Sequence, residues 1–103
     1  MTDEFQDEFK RLCEEVRATT EKKGFETSMD NFPEKIAMIH EEASEALSAW
    51  REDDTEHIPE ELADIVIRVM DLAEGIDADL PQEILDKIEV NKDRPEQHGG
   101  RKI

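Results

Sequence analysis

The chain is short of several residue types, and each shortage excludes a class of protein. Its 103 residues include one cysteine, Cys13, and no tyrosine. A single cysteine allows neither an intrachain disulfide nor a thiol-based metal cluster, and the apolar neighbours of Cys13 in a helical pattern predict that it fills the core. Basic residues number 13 against 29 acidic ones, which gives a net charge of -16. General binding to nucleic acid needs a basic footprint, so nucleic acid is not an expected partner.

Long apolar runs are also missing. The first ten residues, MTDEFQDEFK, are acidic and lack the apolar stretch of a secretory signal. No segment approaches the roughly 18 apolar residues that a membrane span requires. We therefore expect no membrane partner and a cytoplasmic location. A chain of this length forms one small domain, and small domains often cover leftover apolar surface by oligomerisation.

The apolar residues recur with helical spacing, and sustained strand alternation is absent. Pro33, Pro59 and Pro81 are each followed by Glu or Gln ahead of such a run, which is typical of a first helical turn. The fold class expected is all-α: a single-domain four-helix bundle that assembles as an oligomer. Helices are predicted over residues 3–23, 33–51, 59–74 and 81–90, with a loop over 25–32 and an irregular basic tail over 91–103.

The second helix carries glutamates close to its apolar residues. Its main apolar stripe, predicted to be the core face, consists of Ile36, Ile39, Ala43, Ala46, Leu47 and Trp50. Glu42 and Glu45 lie beside this stripe, in the same sector as Met38 and Ala49. His40, at the border of the stripe, is predicted to be a structural histidine rather than a ligand.

The third helix repeats the acidic spacing with Glu61 and Asp64, on the edge of a helix that is apolar over more than half its circumference. Such a helix must be covered on most sides. The short connection to the second helix predicts antiparallel packing. Glu42 and Glu45 should then face Glu61 and Asp64.

Four clustered carboxylates repel one another and resist desolvation, so a partly buried cluster requires a counter-charge. Oxygen ligands favour Mg²⁺, Mn²⁺ or Ca²⁺. The sequence has no calcium loop and no histidine three residues after a glutamate, so Mg²⁺ is the expected ion, with Mn²⁺ as a substitute. Because Mg²⁺ commonly meets its substrate through phosphates, a polyphosphate is the expected ligand. The alternative is that these acids only form a solvated surface.

The last residues are basic, unlike the rest of the chain. A basic segment of this kind can bind phosphate oxygens. The alternative is a disordered basic end that only compensates negative charge in the rest of the chain. Its basic residues are Lys92, Arg94, Arg101 and Lys102, with His98 beside them.

Three motifs occur in order over about residues 30–99: Glu41-Glu42-x-x-Glu45, then Glu61-x-x-Asp64, then Asn91-Lys92-x-Arg94-Pro95-x-x-His98-Gly99. Together they resemble the MazG-like nucleotide pyrophosphohydrolases of the all-α NTP pyrophosphatase superfamily. The resemblance implies a Mg²⁺-dependent enzyme that cleaves nucleoside triphosphates between the α and β phosphates, in a nucleotide-pool cleaning role. It also implies a homodimer or homotetramer.

The same resemblance implies residue roles. The metal ligands would be Glu42, Glu45, Glu61 and Asp64, and the base would be Glu41. Phosphate contacts would come from Asn91, Lys92 and Arg94, with Lys87 as a further candidate. Trp50 could stack on a nucleotide base. Its position on the apolar stripe of the second helix favours packing in the core instead. Three further candidates are Arg68, as a charge partner of the ligands, and Asn31 and Phe32, at the base pocket.

Two other functions stay open from the sequence. One keeps the fold and the metal but hydrolyses a different phosphoanhydride, non-nucleotide or phosphoribosyl-linked. The other is a non-enzymatic acidic helical interaction protein whose apolar third helix is a docking face. The preferred base of a nucleotide substrate is not fixed by the motifs.

Overall fold

The structure, a computed structural model, describes residues 2–94. Over these residues the chain is a compact all-helical domain without strands, which confirms the predicted four-helix class. Short 3₁₀ turns at Met29–Asn31 and Thr55–His57 precede the second and third helices. The four helices are α1 (Thr2–Lys22), α2 (Phe32–Arg51), α3 (Ile58–Gly75) and α4 (Leu80–Lys92). Within the described range, no helix combines the length and apolarity needed to cross a bilayer.

The helix boundaries follow the proline signals closely. Each of the three prolines occupies the first turn of its helix, where a missing N–H costs nothing. The Asp79 side chain accepts a hydrogen bond from the Gln82 backbone N–H at 3.3 Å and so caps α4. The prediction was wrong at the other end of α4, because the helix continues through Lys92 instead of becoming irregular at residue 91. The remaining predicted tail, residues 95–103, lies outside the described residues.

Helix α3 is the centre of the domain. Both α1 and α2 pack extensively against it, and α4 lies against α1 and the end of α3. Cys13 is almost fully buried, as predicted. The other buried apolar side chains come mostly from the second half of α3: Met70, Leu72 and Ala73. The core is therefore concentrated where α1, α3 and α4 meet, and the first half of α3 has apolar residues that this core does not cover.

The predicted core stripe of α2 was only partly right, since Ile36, Ile39 and Ala46 are half-buried. Ala43, Leu47 and Trp50 are exposed, whereas the buried residues of α2 are Lys35, Glu42 and Ala49. Successive residues of a helix are about 100° apart around its axis. On this measure, the centre of the apolar stripe is rotated by roughly 90° from the side that carries the buried residues. The side of α2 that carries its glutamates is the side packed on α3. A large part of the apolar stripe is consequently left uncovered within one chain.

A buried ionic cluster joins α1, α3 and the segment between α1 and α2. An Arg17 N–H donates to the Asp71 carboxylate at 3.0 Å, and both side chains are largely buried. The Thr27 hydroxyl donates to the other carboxylate oxygen of Asp71 at 2.7 Å. Arg17 also donates to the Phe25 carbonyl. These contacts fix the segment beside the first turn of α2 and thereby help to position that helix.

Gly75 ends α3 where the Thr27 backbone passes very close. A Cβ atom at this position would lie 2.6 Å from both Thr27 Cγ2 and the Thr27 carbonyl oxygen. We expect Gly75→Ala to lower the free energy of unfolding by about 1–3 kcal/mol, because a backbone atom must move to make room. Urea denaturation measures this change. A variant as stable as the wild type would show that the two segments are not held at this distance.

Candidate metal centre

Helices α2 and α3 run antiparallel, so successive turns of one face successive turns of the other in reverse order. Glu45 lies near Glu61, and Glu42 lies next to Arg68, about two turns further along α3. The i, i+3 spacing places both α2 carboxylates on the side that faces α3. The sequence prediction that the two acidic motifs meet across this seam is confirmed for three of their four residues.

Three carboxylates converge at this seam and form an acidic triad of Glu42, Glu45 and Glu61. One oxygen from each lies within 4.8 Å of the others. Oxygens around an octahedral Mg²⁺ at about 2.1 Å are about 3 to 4 Å apart, so small side-chain rotations would bring the triad to that geometry. Glu42 is buried, Glu61 is half-buried and Glu45 is exposed, which leaves the centre accessible from one side. These residues fit a hard divalent cation.

Glu61 supplies independent support for this fit. Its Oε2 atom is buried and has no hydrogen-bond partner among residues 2–94. Desolvation raises the pKa of Glu61 above its ordinary value of 4.5, and the charges of Glu45, Asp64 and Glu42 raise it further. A buried, unpaired carboxylate oxygen is costly unless something binds it. A cation among the three carboxylates would remove both the desolvation cost and the repulsion.

Asp64, the fourth predicted ligand, lies one turn beyond Glu61 and outside the triad. It lines a cavity of about 210 Å³ together with Glu42, Arg68 and Asp71. In this cavity an Arg68 N–H approaches a Glu42 carboxylate oxygen at 3.4 Å. Arg68 was predicted as a charge partner of the predicted ligands, and it does pair with one of these residues, Glu42. The cavity is therefore a polar space bordered by two predicted metal ligands and one arginine.

The other end of the seam is acidic as well. A cavity there is lined by Glu45, Glu61, Glu52, Asp54 and His57. A ring nitrogen of His57 lies 2.7 Å from Asp54, and this hydrogen bond raises the pKa of His57. The triad thus lies between an acidic cavity and one that contains Arg68.

The predicted substrate residues are not gathered around the triad. Glu41 is exposed, about 100° around α2 from Glu42. Lys87 and Asn91 are exposed on α4, and Lys92 pairs with Glu89 at 3.0 Å. Within the described chain, α4 packs on α1 and α3, and neither cavity beside the triad includes Lys87, Asn91, Lys92 or Arg94.

The remaining sequence predictions have mixed outcomes. Trp50 is exposed, so it does not pack in the core of its own chain. His40 is exposed, which makes the prediction of a structural histidine wrong. The Asn31 side chain closes the 3₁₀ turn before α2 and donates to the Glu26 carbonyl at 2.8 Å. The predicted basic residues His98, Arg101 and Lys102 lie outside the described residues.

Three residues beside the site were missed by sequence reasoning: Lys23, Lys35 and Asp71. Asp71 stands seven residues after Asp64, two turns along the same face of α3, so helical periodicity was a usable signal for it. Lys35 stands seven residues before Glu42 and shares its face in the same way. Lysine is normally a surface residue, and for that reason its burial was not expected.

The chain matches no family model, no curated protein and no solved structure. The function proposed below therefore depends on the motifs and on the geometry of the seam.

Proposed function

We propose that the protein is a MazG-like, Mg²⁺-dependent nucleoside triphosphate pyrophosphohydrolase, which releases a nucleoside monophosphate and pyrophosphate and serves to clean the nucleotide pool. The observation that carries this proposal is the convergence of Glu42, Glu45 and Glu61, from two motifs about 20 residues apart, at one seam. Chance acidity on exposed helix faces gives no reason for Glu42 to be buried or for a Glu61 oxygen to be unpaired.

Each residue has a defined task in this proposal. Glu42, Glu45 and Glu61 would hold the cation, and Asp64, one turn further along α3, would be the fourth ligand that the resemblance implies. A bound divalent cation would neutralise charge on the phosphates and would lower the pKa of water. Glu41, exposed next to Glu42 in α2, keeps the role that the resemblance implies and would accept a proton from the attacking water. Arg68, already beside Glu42, offers donors to phosphate oxygens at the edge of the polar cavity.

The experiment that tests this function measures pyrophosphate release from a panel of canonical and modified NTPs and dNTPs. Reactions contain Mg²⁺, Mn²⁺ or EDTA, and the nucleotide product is identified. Metal-dependent release together with the matching monophosphate supports the proposal and ranks the bases. Release of orthophosphate would contradict the proposal. Hydrolysis only of non-nucleotide or phosphoribosyl-linked phosphoanhydrides would also contradict it, and either result would favour an enzyme that cleaves a different phosphoanhydride. No hydrolysis and no thermal stabilisation by Mg²⁺ favours the interaction protein.

We further propose that a second copy of the chain covers the exposed apolar stripe of α2 and the first half of α3, forming a homodimer or, by pairing of dimers, a homotetramer. Trp50 is 65% exposed, and Leu62 on α3 is 53% exposed. Leu47 and Val66 are also large apolar side chains left open to solvent. Two neighbouring helices with uncovered apolar faces form a patch of the kind that oligomers bury.

We expect Trp50→Glu to convert the assembly to a monomer, because it places a charge in the apolar contact of a chain that already carries 16 excess negative charges. Sedimentation velocity measures the change. Met29→Glu is the matched control, since Met29 is 64% exposed but lies in the 3₁₀ turn that precedes α2, far along that helix from Trp50. Equal effects of the two variants, or a monomeric wild type, would contradict an interface on this face.

A further inference from the structure

A cation-lined cavity lies next to the acidic seam. It has a volume of about 280 Å³, and three of its lining residues are basic: Lys23, Lys35 and Arg68. No carboxylate lines it. In a chain with 29 acidic and 13 basic residues, a cavity with three cations and no acid is a strong local reversal of charge. The other lining residues are Thr19, Thr20, Phe25 and Met38.

Lys35 is the residue that most requires a ligand there. It is only 8% exposed, and its ammonium forms no ion pair or hydrogen bond with any residue in the 2–94 range. Its one favourable contact is with the Phe25 ring, at 5.9 Å from the centroid. This is a cation–π distance, and such a contact is a weak partner compared with a carboxylate or a phosphate.

The position of Lys35 in its helix adds to this cost. It is the fourth residue of α2, near the end of the helix that carries the positive end of the dipole. Cations are disfavoured at this end, whereas anions are stabilised by it. Burial, an absent carboxylate and the dipole all oppose a lysine here. A bound anion would supply the missing counter-charge, and the helix dipole would stabilise the anion itself.

The basic cavity adjoins the polar cavity beside the triad. Arg68 and Thr20 line both cavities. Lys35 and Glu42 are seven residues apart on one face of α2, which corresponds to about 10 Å along the helix. A volume of 280 Å³ is just below the range of small-molecule pockets, and it suits a chain of phosphate groups better than a whole nucleotide.

We infer that the cavity lined by Lys23, Lys35 and Arg68 is an anion site that binds the phosphate groups of a polyphosphate chain. Lys35 supplies the central charge, Lys23 closes the cavity from the end of α1, and Arg68 links it to the acidic seam. The site requires no metal and no hydrolysis. Binding here is accordingly a separate property from the proposed enzymatic activity.

The test is calorimetric titration of the protein with inorganic tripolyphosphate in the presence of EDTA. Wild type is expected to bind, and Lys35→Gln to bind at least about tenfold more weakly, because a buried charged hydrogen bond is lost. Lys23→Gln should weaken binding as well, and since Lys23 is exposed this substitution does not threaten the fold. Lys22→Gln is the matched control: it removes the same charge from an exposed neighbouring residue outside the cavity.

Two results of the tripolyphosphate titrations would overturn the inference. One is the absence of binding by the wild type, and the other is an equal loss in the Lys22 and Lys23 variants, which would indicate only general charge attraction. Titrations with a nucleoside and with a nucleoside triphosphate identify the recognised group. Binding of the triphosphate and tripolyphosphate but not of the nucleoside supports phosphate recognition. If the nucleoside bound as tightly as the nucleoside triphosphate, the cavity would recognise the base and the inference would be wrong.

Discussion

Glu61→Gln is expected to reduce turnover at least about 100-fold and to abolish thermal stabilisation by Mg²⁺, while α3 stays helical. The glutamine keeps the shape of the side chain but supplies one neutral oxygen where the triad needs a charged one. Its amide also brings a donor into a cluster that otherwise contains only acceptors. Turnover is measured as pyrophosphate release, and metal binding as the rise in Tm when Mg²⁺ is added to chelator-treated protein.

The matched control for this prediction is Glu60→Gln. Glu60 precedes Glu61 in the first turn of α3 and is exposed, so the substitution removes an equal charge without touching the triad. It should keep most of the activity and the full Mg²⁺-induced rise in Tm. If Glu61→Gln retained wild-type turnover, or if both variants lost activity equally, the triad would not be the metal centre.

The metal-free protein allows a second measurement on the same pair of variants. The pKa of Glu61 is raised in the folded state by desolvation first and then by nearby carboxylates. A raised carboxyl pKa contributes stability that is fully present below the ordinary value of 4.5 and is lost as pH rises through the folded pKa. In EDTA at neutral pH, Glu61→Gln should therefore have a higher Tm than the wild type, and the difference should shrink on acidification.

The sequence predicted the local features of this site well. The prolines marked where α2, α3 and α4 begin because the first helical turn accepts a residue without an N–H. The i, i+3 spacing predicted that Glu42 and Glu45 share a face, and the short connection between α2 and α3 predicted which helix they meet. These inferences need only the geometry of a helix and the length of a connection.

What the sequence could not supply was the direction from which the neighbours of α2 approach. The apolar stripe with Leu47 and Trp50 looked like the core face, because hydrophobicity does not distinguish a surface buried within a chain from one available to another chain. The structure packs the glutamate side against α3 instead. The burial of Lys35 follows from the same rotation of α2, and for this reason the basic cavity was missed along with it.

Ion pairs between residues far apart in the sequence could not be predicted either. Loss of one such pair is nevertheless expected to change the free energy of unfolding strongly. Arg17 and Asp71 are 54 residues apart and pair at 3.0 Å with little exposure. We expect Arg17→Met to lower the free energy of unfolding by about 3–5 kcal/mol, since Asp71 would keep its buried charge and retain only the Thr27 hydroxyl as a partner. Native stabilities are only about 5–15 kcal/mol, so this loss would be a large share of the total.

Chemical denaturation of a small set of variants separates charge burial from simple loss of contact. Arg11→Met is the control, because Arg11 pairs with Glu8 and Glu15 on the surface and such pairs contribute about 0–1 kcal/mol. Adding Asp71→Asn to Arg17→Met should restore part of the lost stability, since the unpaired charge is then gone. An Arg17 variant as stable as the Arg11 variant would contradict a structural role for the buried pair. Asp71 also lines the cavity that Glu42 and Asp64 line, so its pairing with Arg17 neutralises one of the acids of that cavity.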